Sequence, residues 1–381
     1  MVNFIPYGKQ LIDQDDIDEV IDILKSDWMT QGPKIKEFET ALCEITGAKY
    51  AVAVSSGTAA LHLAVKAAGI KKNDEVITSP NTFVATSNAV LYSEGTVKFV
   101  DIDQDTGNMN ETLIEPLISD NTKAIIPVHF AGQSCNMKEI SSLAKRNNIK
   151  VIEDASHALG GTYDGAPIGS CKYSDMATFS FHPVKPIATG EGGAITTNNK
   201  ELYELLIMLR THGITKDQEK MSQNEGPWYY EMKELGFNYR MTDLQAALGC
   251  SQLKKLTYFT ERRHEIATQY TNQFEGVERI SPLQLKSGTS GHHLYVIKGD
   301  FQALGKSRED CMGELKASGI GTQVHYIPVY RQPYYQKLGV HTRYPNCESY
   351  YSKAISIPLF PKMTDDDVAH VIKTVRHIFS S

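Results

Sequence analysis

Tyr50-Ala51-Val52-Ala53-Val54-Ser55-Ser56-Gly57-Thr58 decides the fold. An apolar run stops at two serines and a glycine, and residues 58–68 then read as a helix ending at Gly69. The same unit recurs down the chain. Residues 75–78, 97–100, 124–128 and 150–152 read as strands, with helices at 83–92, 113–118 and 137–146 between them. Strand-helix alternation of this kind implies crossover connections and a parallel sheet buried on both faces. Residues 176–181 and 193–197 add two more expected strands. The expected class is α/β, with a mostly parallel sheet between helices.

Outward from this block, residues 13–26 read as an amphipathic helix with Ile17, Val20, Ile21 and Leu24 on one face. Several Asp residues crowd its first turn, where the helix dipole favours them. A second helix follows Gly32-Pro33, with Ile35, Phe38, Leu42 and Ile45 in register. Past the sheet, residues 241–273 read as one long helix. Residues 293–297 and 322–326 follow as strands, and 308–317 and 365–379 as helices. A chain of 381 residues exceeds what one core usually serves. The expected division is a large domain at 1–250 and a smaller α+β domain at 251–381.

Apolar residues make up 41% and charged residues 22%, ordinary for a globular protein. The net charge is -6 and no Lys/Arg block is long, which argues against nucleic-acid binding. Six scattered cysteines form no CxxC pair and have no His partner at metal spacing, so free thiols in a reducing cytoplasm are expected and no metal. Met1 to Tyr7 lacks a basic stretch followed by an apolar core, so no signal peptide is expected. No apolar run reaches the length of a membrane span.

In an open parallel sheet, ligands bind beyond the carboxyl ends of the strands. Ser55 to Thr58, Asn81 to Phe83, His129, Asp154 to His157 and Ser180 all fall at such ends. Ser55-Ser56-Gly57-Thr58 enters a helix, whose free N–H groups and dipole suit a phosphate. Taken alone it is equally a plain N-cap. Asp154 ends an apolar strand, where its carboxylate can pair with a protonated ring nitrogen or cap a helix. His157 beside it also reads as a structural histidine. Ser180-Phe181-His182-Pro183-Val184-Lys185-Pro186 sets a lysine between prolines, just ahead of Gly190-Glu191-Gly192-Gly193. A lysine nucleophile needs a lowered pKa, which burial supplies, whereas most loop lysines are simply solvated.

Together these pieces resemble the DegT/DnrJ/EryC1/StrS sugar aminotransferases, enzymes of fold type I that use pyridoxal 5'-phosphate (PLP). The resemblance spans essentially the whole chain. It rests on Trp28-Met29-Thr30-Gln31-Gly32, Ser56-Gly57-Thr58-Ala59-Ala60-Leu61, Glu153-Asp154-Ala155-Ser156-His157-Ala158, Gly190-Glu191-Gly192-Gly193-Ala194 and Gly236-Phe237-Asn238-Tyr239-Arg240-Met241-Thr242-Asp243. The segment 180–186 looks most like the branch that makes UDP-4-amino-4,6-dideoxy-N-acetyl-β-L-altrosamine, a pseudaminic acid precursor.

The resemblance implies a role for each matching residue. Lys185 would hold PLP as a Schiff base and shuttle protons, and Asp154 would bind the pyridine nitrogen. Phe83 would stack on the ring, Ser156 would lie beneath it where many relatives have Ala, and His157 would sit near its phenolic oxygen. Gly57, Thr58 and Ser180 would hold the phosphate, joined by Asn238 from a neighbouring copy, which makes the unit a homodimer with shared sites. Arg240 would take the carboxylate of the donor, glutamate. Tyr7, Asp27, Trp28, Met29, Thr30, Gln323, Val324, His325 and Tyr326 would meet the nucleotide sugar. The expected reaction is amino transfer to C4 of a UDP-linked 4-keto-6-deoxy-N-acetylhexose. A perosamine-type or bacillosamine-type C4 aminotransferase is the alternative. A sugar dehydratase of the same family is disfavoured, because such relatives carry His where this chain has Lys185.

Overall fold

Alternate residues of the central strands bury on opposite faces, and this fixes a three-layer arrangement. In the computed structural model, which describes residues 4–380, Val52 and Val54 pack on one face with Leu61, Leu63, Val90 and Leu206. Ala51 and Ala53 pack on the other with Phe38, Leu42 and Ala246. The sheet has seven strands in the spatial order Tyr50–Val54, Gly193–Thr197, Met176–Ser180, Lys150–Asp154, Thr122–Ile126, Glu75–Thr78 and Thr96–Phe99. Gly193–Thr197 runs antiparallel to both neighbours, and the other strands run parallel to one another. Every parallel strand therefore ends at the same edge, as the sequence pattern requires.

The sheet strands and the helices Gly57–Ala67, Val84–Tyr92 and Met137–Arg146 agree with the sequence to within a few residues at their ends. Four expectations are corrected. Residues 113–118 form two short 3-10 turns, Glu111–Leu113 and Glu115–Leu117, the second carrying Pro116. The long helix at 241–273 is two helices, Asp243–Lys254 and Leu256–Phe274, broken at Lys255. The Lys255 ammonium is tied to Asp16 at 3.0 Å. Residues 322–326 are not a strand. The Gln323 side chain accepts the N–H of Val324, which a strand ladder would have used, and only Gln323 bridges to Ser356. The fourth correction concerns the first helix, Gln14–Lys25. Its predicted apolar face looks outward, with Ile17, Ile21 and Leu24 exposed. It docks through buried Asp16, which accepts from Gln252 Nε2 at 2.8 Å. The helix is held by buried Ile23 together with charge-assisted bonds at Asp16, and not by the apolar face the periodicity predicts.

Several elements have no counterpart in the sequence reading, among them the helices Lys200–Arg210 and Pro345–Lys353, the strand Ile280–Pro282 and, finally, the strand Ala354–Ile357. The last pairs with Tyr295–Gly299 in a three-stranded antiparallel sheet. That sheet lies against a second core built from Ile266, Tyr270, Phe274, Leu315, Val371 and Ile378. Ile5 belongs to the same core and bridges to Ile320, so the start of the chain packs with its last third. Among the described residues no helix is long and apolar enough to cross a membrane.

Candidate active site

Three strand ends build the centre of the site. The Met176–Ser180 strand brings Ser180 beside the start of the helix Gly57–Ala67. A Cβ at position 57 would lie 2.6 Å from Ser180 Cβ, so only glycine permits this approach. Gly193 meets the same turn from the neighbouring strand, where a Cβ would fall 2.3 Å from the Ser56 carbonyl oxygen. Ser56 Oγ accepts from Ala59 N at 3.1 Å, so the N-cap reading is correct for Ser56. Gly57 and Thr58 keep the intrahelically unpaired N–H groups of any helix start, with Ser180 packed against Gly57. This is a cradle for an anion.

Asp154 ends the central strand and is almost fully buried. Its Oδ1 accepts from Ser156 Oγ at 2.6 Å and Ser156 N at 3.2 Å. Its Oδ2 accepts from Thr86 Oγ1 at 2.7 Å, and Thr86 Oγ1 meets Thr82 Oγ1 at 2.7 Å. A buried carboxylate with these donors is held in one orientation. Sequence reasoning finds Asp154 and Ser156 and misses Thr86. Its position three residues beyond Phe83, one turn into the helix Val84–Tyr92, is the available signal.

Lys185 sits where the irregular backbone between the prolines turns inward. Burial pulls its amine down to about 8, and the charge of Asp154 pulls in the opposite direction. Its Nζ lies 3.4 Å from His293 Nε2. The sequence pattern marks His293 only as a strand residue. Burial pushes His157 and His293 well below the usual histidine range, and the Lys185 charge adds to this. Both rings are therefore neutral. They lie 4.4 Å apart between centroids, and each has a buried Nδ1 without a partner among the described residues.

Tyr326 closes this side. Its hydroxyl meets His157 Nε2 at 3.0 Å, and its ring lies 6.2 Å from Phe83, which is exposed. His325 Nδ1 meets Ser356 Oγ at 2.7 Å, and Tyr7 packs on the His325 ring at 5.4 Å. Thus Lys185, Asp154, Ser156, His157, Phe83, Tyr7, His325 and Tyr326 come together in one place. Gln323 is exposed and Val324 half-buried on the approach to it.

The remaining predicted residues are not gathered into that centre. Asp27, Trp28, Met29 and Thr30 are exposed, and Asn238 is exposed where it bridges to Thr211. Arg240 is half-buried and bridges through its backbone to Val54. Asp243, which ends the same motif, has a structural duty. It accepts from Gly32 N at 2.8 Å and Lys34 N at 3.0 Å, capping the helix Pro33–Thr46 from across the chain.

Residues 10–376 match the DegT/DnrJ/EryC1/StrS aminotransferase family. A Bacillus subtilis spore coat polysaccharide biosynthesis protein, SpsC, is 43% identical, covering 99% of this chain and 97% of its own. A Campylobacter jejuni UDP-4-amino-4,6-dideoxy-N-acetyl-beta-L-altrosamine transaminase is 44% identical, covering 97% of this chain and 96% of its own. The solved structure of Helicobacter pylori PseC, an aminotransferase of pseudaminic acid biosynthesis, superposes with a TM-score of 0.92 at 34% identity, over 99% of each chain.

The family's cofactor is PLP, and the residues present fit it. The cradle at Gly57, the pinned carboxylate of Asp154, the depressed amine of Lys185 and the unpartnered Nδ1 of His157 match a phosphate, a pyridinium, an aldehyde and a polar ring edge. The chain therefore belongs to the DegT/DnrJ/EryC1/StrS family and is a PLP-dependent sugar aminotransferase.

Proposed function

We propose that this enzyme moves the amino group of glutamate to C4 of UDP-2-acetamido-2,6-dideoxy-β-L-arabino-hexos-4-ulose, the step that leads toward pseudaminic acid. The observation that carries the reading is the extent of likeness to the Campylobacter jejuni transaminase, which spans 97% of this chain. A second reading, amination at C4 of another nucleotide sugar, has support of its own. The spore coat protein is 43% identical over nearly the same length.

When bound, PLP supplies an electron sink that lets a proton leave the carbon next to nitrogen. The protein's own groups do the rest. Asp154 offers a fixed anion for the pyridine nitrogen, and burial keeps that charge strong. Gly57, Thr58 and Ser180 would hold the phosphate, and Phe83 would cover the ring. Lys185 would attach the cofactor. Once free, its Nζ takes the donor α-proton and later returns a proton on the sugar side. An amine that titrates near 8 can do both near neutral pH. The neutral rings of His157 and His293 add no competing positive charge. Tyr7, Asp27 to Thr30 and Gln323 to Tyr326 line the approach of the sugar nucleotide. Arg240 takes the glutamate carboxylate, in a fork geometry suited to it. Asn238 serves the phosphate of a neighbouring copy, so the working unit is a homodimer. We further place the domain division near residue 250 and the enzyme in the cytoplasm.

Product NMR after incubation with glutamate and a panel of 4-keto UDP- and GDP-sugars tests the reading. The expected product is the 4-amino sugar of the L-arabino substrate, formed faster than any other. A preference for a GDP sugar, or for the D-xylo epimer, overturns it in favour of the second reading.

A further inference from the structure

The histidine pair His292-His293 enters the site from the last third of the chain, and the fold controls where it lies. Gly291 N donates to Gly132 O at 2.9 Å, and His292 takes a left-handed backbone at φ 44°. Buried Arg263 has no carboxylate partner among the described residues. Its Nη1 donates instead to Leu359 O at 2.8 Å and His292 O at 3.3 Å, with His293 O at 3.5 Å. A buried guanidinium spent on backbone carbonyls fixes the course of a turn. What the turn delivers is the His293 ring, 4.4 Å from His157 and with Nε2 3.4 Å from Lys185 Nζ. Its other nitrogen is buried and has no partner among the described residues.

We propose that His293 is a positioning residue of this enzyme: it holds the freed Lys185 amine in its reactive orientation by accepting an N–H from Nζ at Nε2, staying uncharged throughout. Without it, the four-carbon stem of Lys185 has no hydrogen-bonding anchor for its head among the described residues. One fixed acceptor takes one N–H of Nζ, and so selects which way the other two protons of the ammonium, or the second proton and the lone pair of the neutral amine, face. The groups facing that amine are the Asp154 carboxylate and the neutral rings of His157, His293 and His325. Of these, only His293 is within hydrogen-bond reach. The inference rests on the transaminase chemistry of the family and not on which sugar is used.

The test compares His293→Gln, His293→Leu and His293→Asn with the wild type. Gln offers an amide acceptor at similar reach, Leu offers none, and Asn stops one carbon short. The first readout uses cofactor-free protein. The rate at which trinitrobenzenesulfonate modifies Lys185 is followed against pH by mass spectrometry of its peptide. Removing an acceptor from the ammonium should lower the midpoint by about half a pH unit in the Leu and Asn variants, with Gln restoring the wild-type midpoint. The second readout is bleaching of the yellow holoenzyme by glutamate. The maximal rate should fall about tenfold in Leu and Asn, with half-saturation by glutamate unchanged, and return in Gln. Should Leu fail to fold, the Gln and Asn pair decides. Coincident midpoints in all variants, or equal losses in Gln and Leu, overturn the proposal. A wild type that does not bleach with glutamate but shows the expected midpoints would fail the donor assignment alone.

Discussion

Asp154 and Asn238 stand at opposite extremes of burial, although the family resemblance assigns both to cofactor binding, Asp154 in its own chain's site and Asn238 in a neighbouring copy's. Asp154 is 5% exposed and is held by three donors from its own chain. Asn238 is exposed, on a stretch that follows exposed Trp228, Tyr230, Met232 and Leu235. A milder contrast separates half-buried Lys185 from exposed Trp28 and Met29. One set is completed by the fold of a single chain. The other presents apolar and polar groups to the outside, where a second copy would meet them. The difference teaches where the proposed reading divides: the groups around Asp154 are in place within one chain, while the roles proposed for Asn238 and for Trp28 and Met29 call for a second copy.

The strongest way to break that division is at its intrachain end. Lys185→Ala removes the nucleophile and the proton carrier together. Turnover should fall by about a thousandfold or more. Borohydride treatment of the PLP-loaded wild type should fix the cofactor's mass on the peptide holding Lys185, and the variant should show none. Turnover within tenfold of wild type would remove Lys185 from the mechanism.

The assembly end is tested by mixing inactive chains. If Asn238 acts across a dimer, Asn238→Ala and Lys185→Ala chains together place both defects in one site and leave the other whole. After full subunit exchange at equal amounts, half the dimers are mixed and each has one intact site. About a quarter of wild-type activity should return from chains that are each nearly inactive. No recovery, with exchange confirmed by native mass spectrometry, would confine Asn238 to its own chain.

How far the sequence reveals these two regions follows from their physics. Strands buried on both faces need continuous apolar runs, and their turns need Ser and Gly, so residues 50–197 carry a readable pattern. Lys185 and Asp154 can be found because each breaks an apolar or proline-framed stretch. Thr86 and His293 cannot be found that way, because each sits inside an ordinary helix or strand-like segment and acquires its role only from long-range packing. Thr86 meets Asp154 and His293 meets Lys185 across 68 and 108 positions. The first helix misleads for a related reason. Its amphipathic face marks a surface to be covered, and periodicity does not say by which chain. Local Pro and Gly signals likewise say nothing of the break at Lys255, whose ammonium pairs with Asp16 far away in sequence.

A smaller effect sharpens the intrachain end. Among the described residues, Thr86 Oγ1 is the one donor to Asp154 Oδ2, and the pair is buried. Thr86→Val keeps the shape and removes the hydroxyl. A lost hydrogen bond to a charged group is worth about 1.5–3 kcal/mol. PLP should bind about tenfold more weakly, measured by fluorescence titration, and Thr86→Ser should restore it. An unchanged affinity in Val would mean that Asp154 does not need this support.

Ser156 makes the finer comparison, because its Oγ is closer to Asp154 than Thr86 is, at 2.6 Å against 2.7 Å. Distance alone would rank Ser156→Ala as the worse lesion. Redundancy ranks it the other way. Oδ1 keeps the backbone N–H of residue 156 at 3.2 Å after the hydroxyl is gone, whereas Oδ2 loses its only donor among the described residues when Thr86 is changed. A carboxylate oxygen left with one partner costs less than one left with none. The Ser156→Ala enzyme should therefore bind PLP within about threefold of wild type, and the double variant with Thr86→Val should be little worse than Thr86→Val alone. If Ser156→Ala proves the more damaging of the two, the short hydroxyl contact and not the helix-borne threonine anchors the carboxylate, and the order of the two lesions inverts.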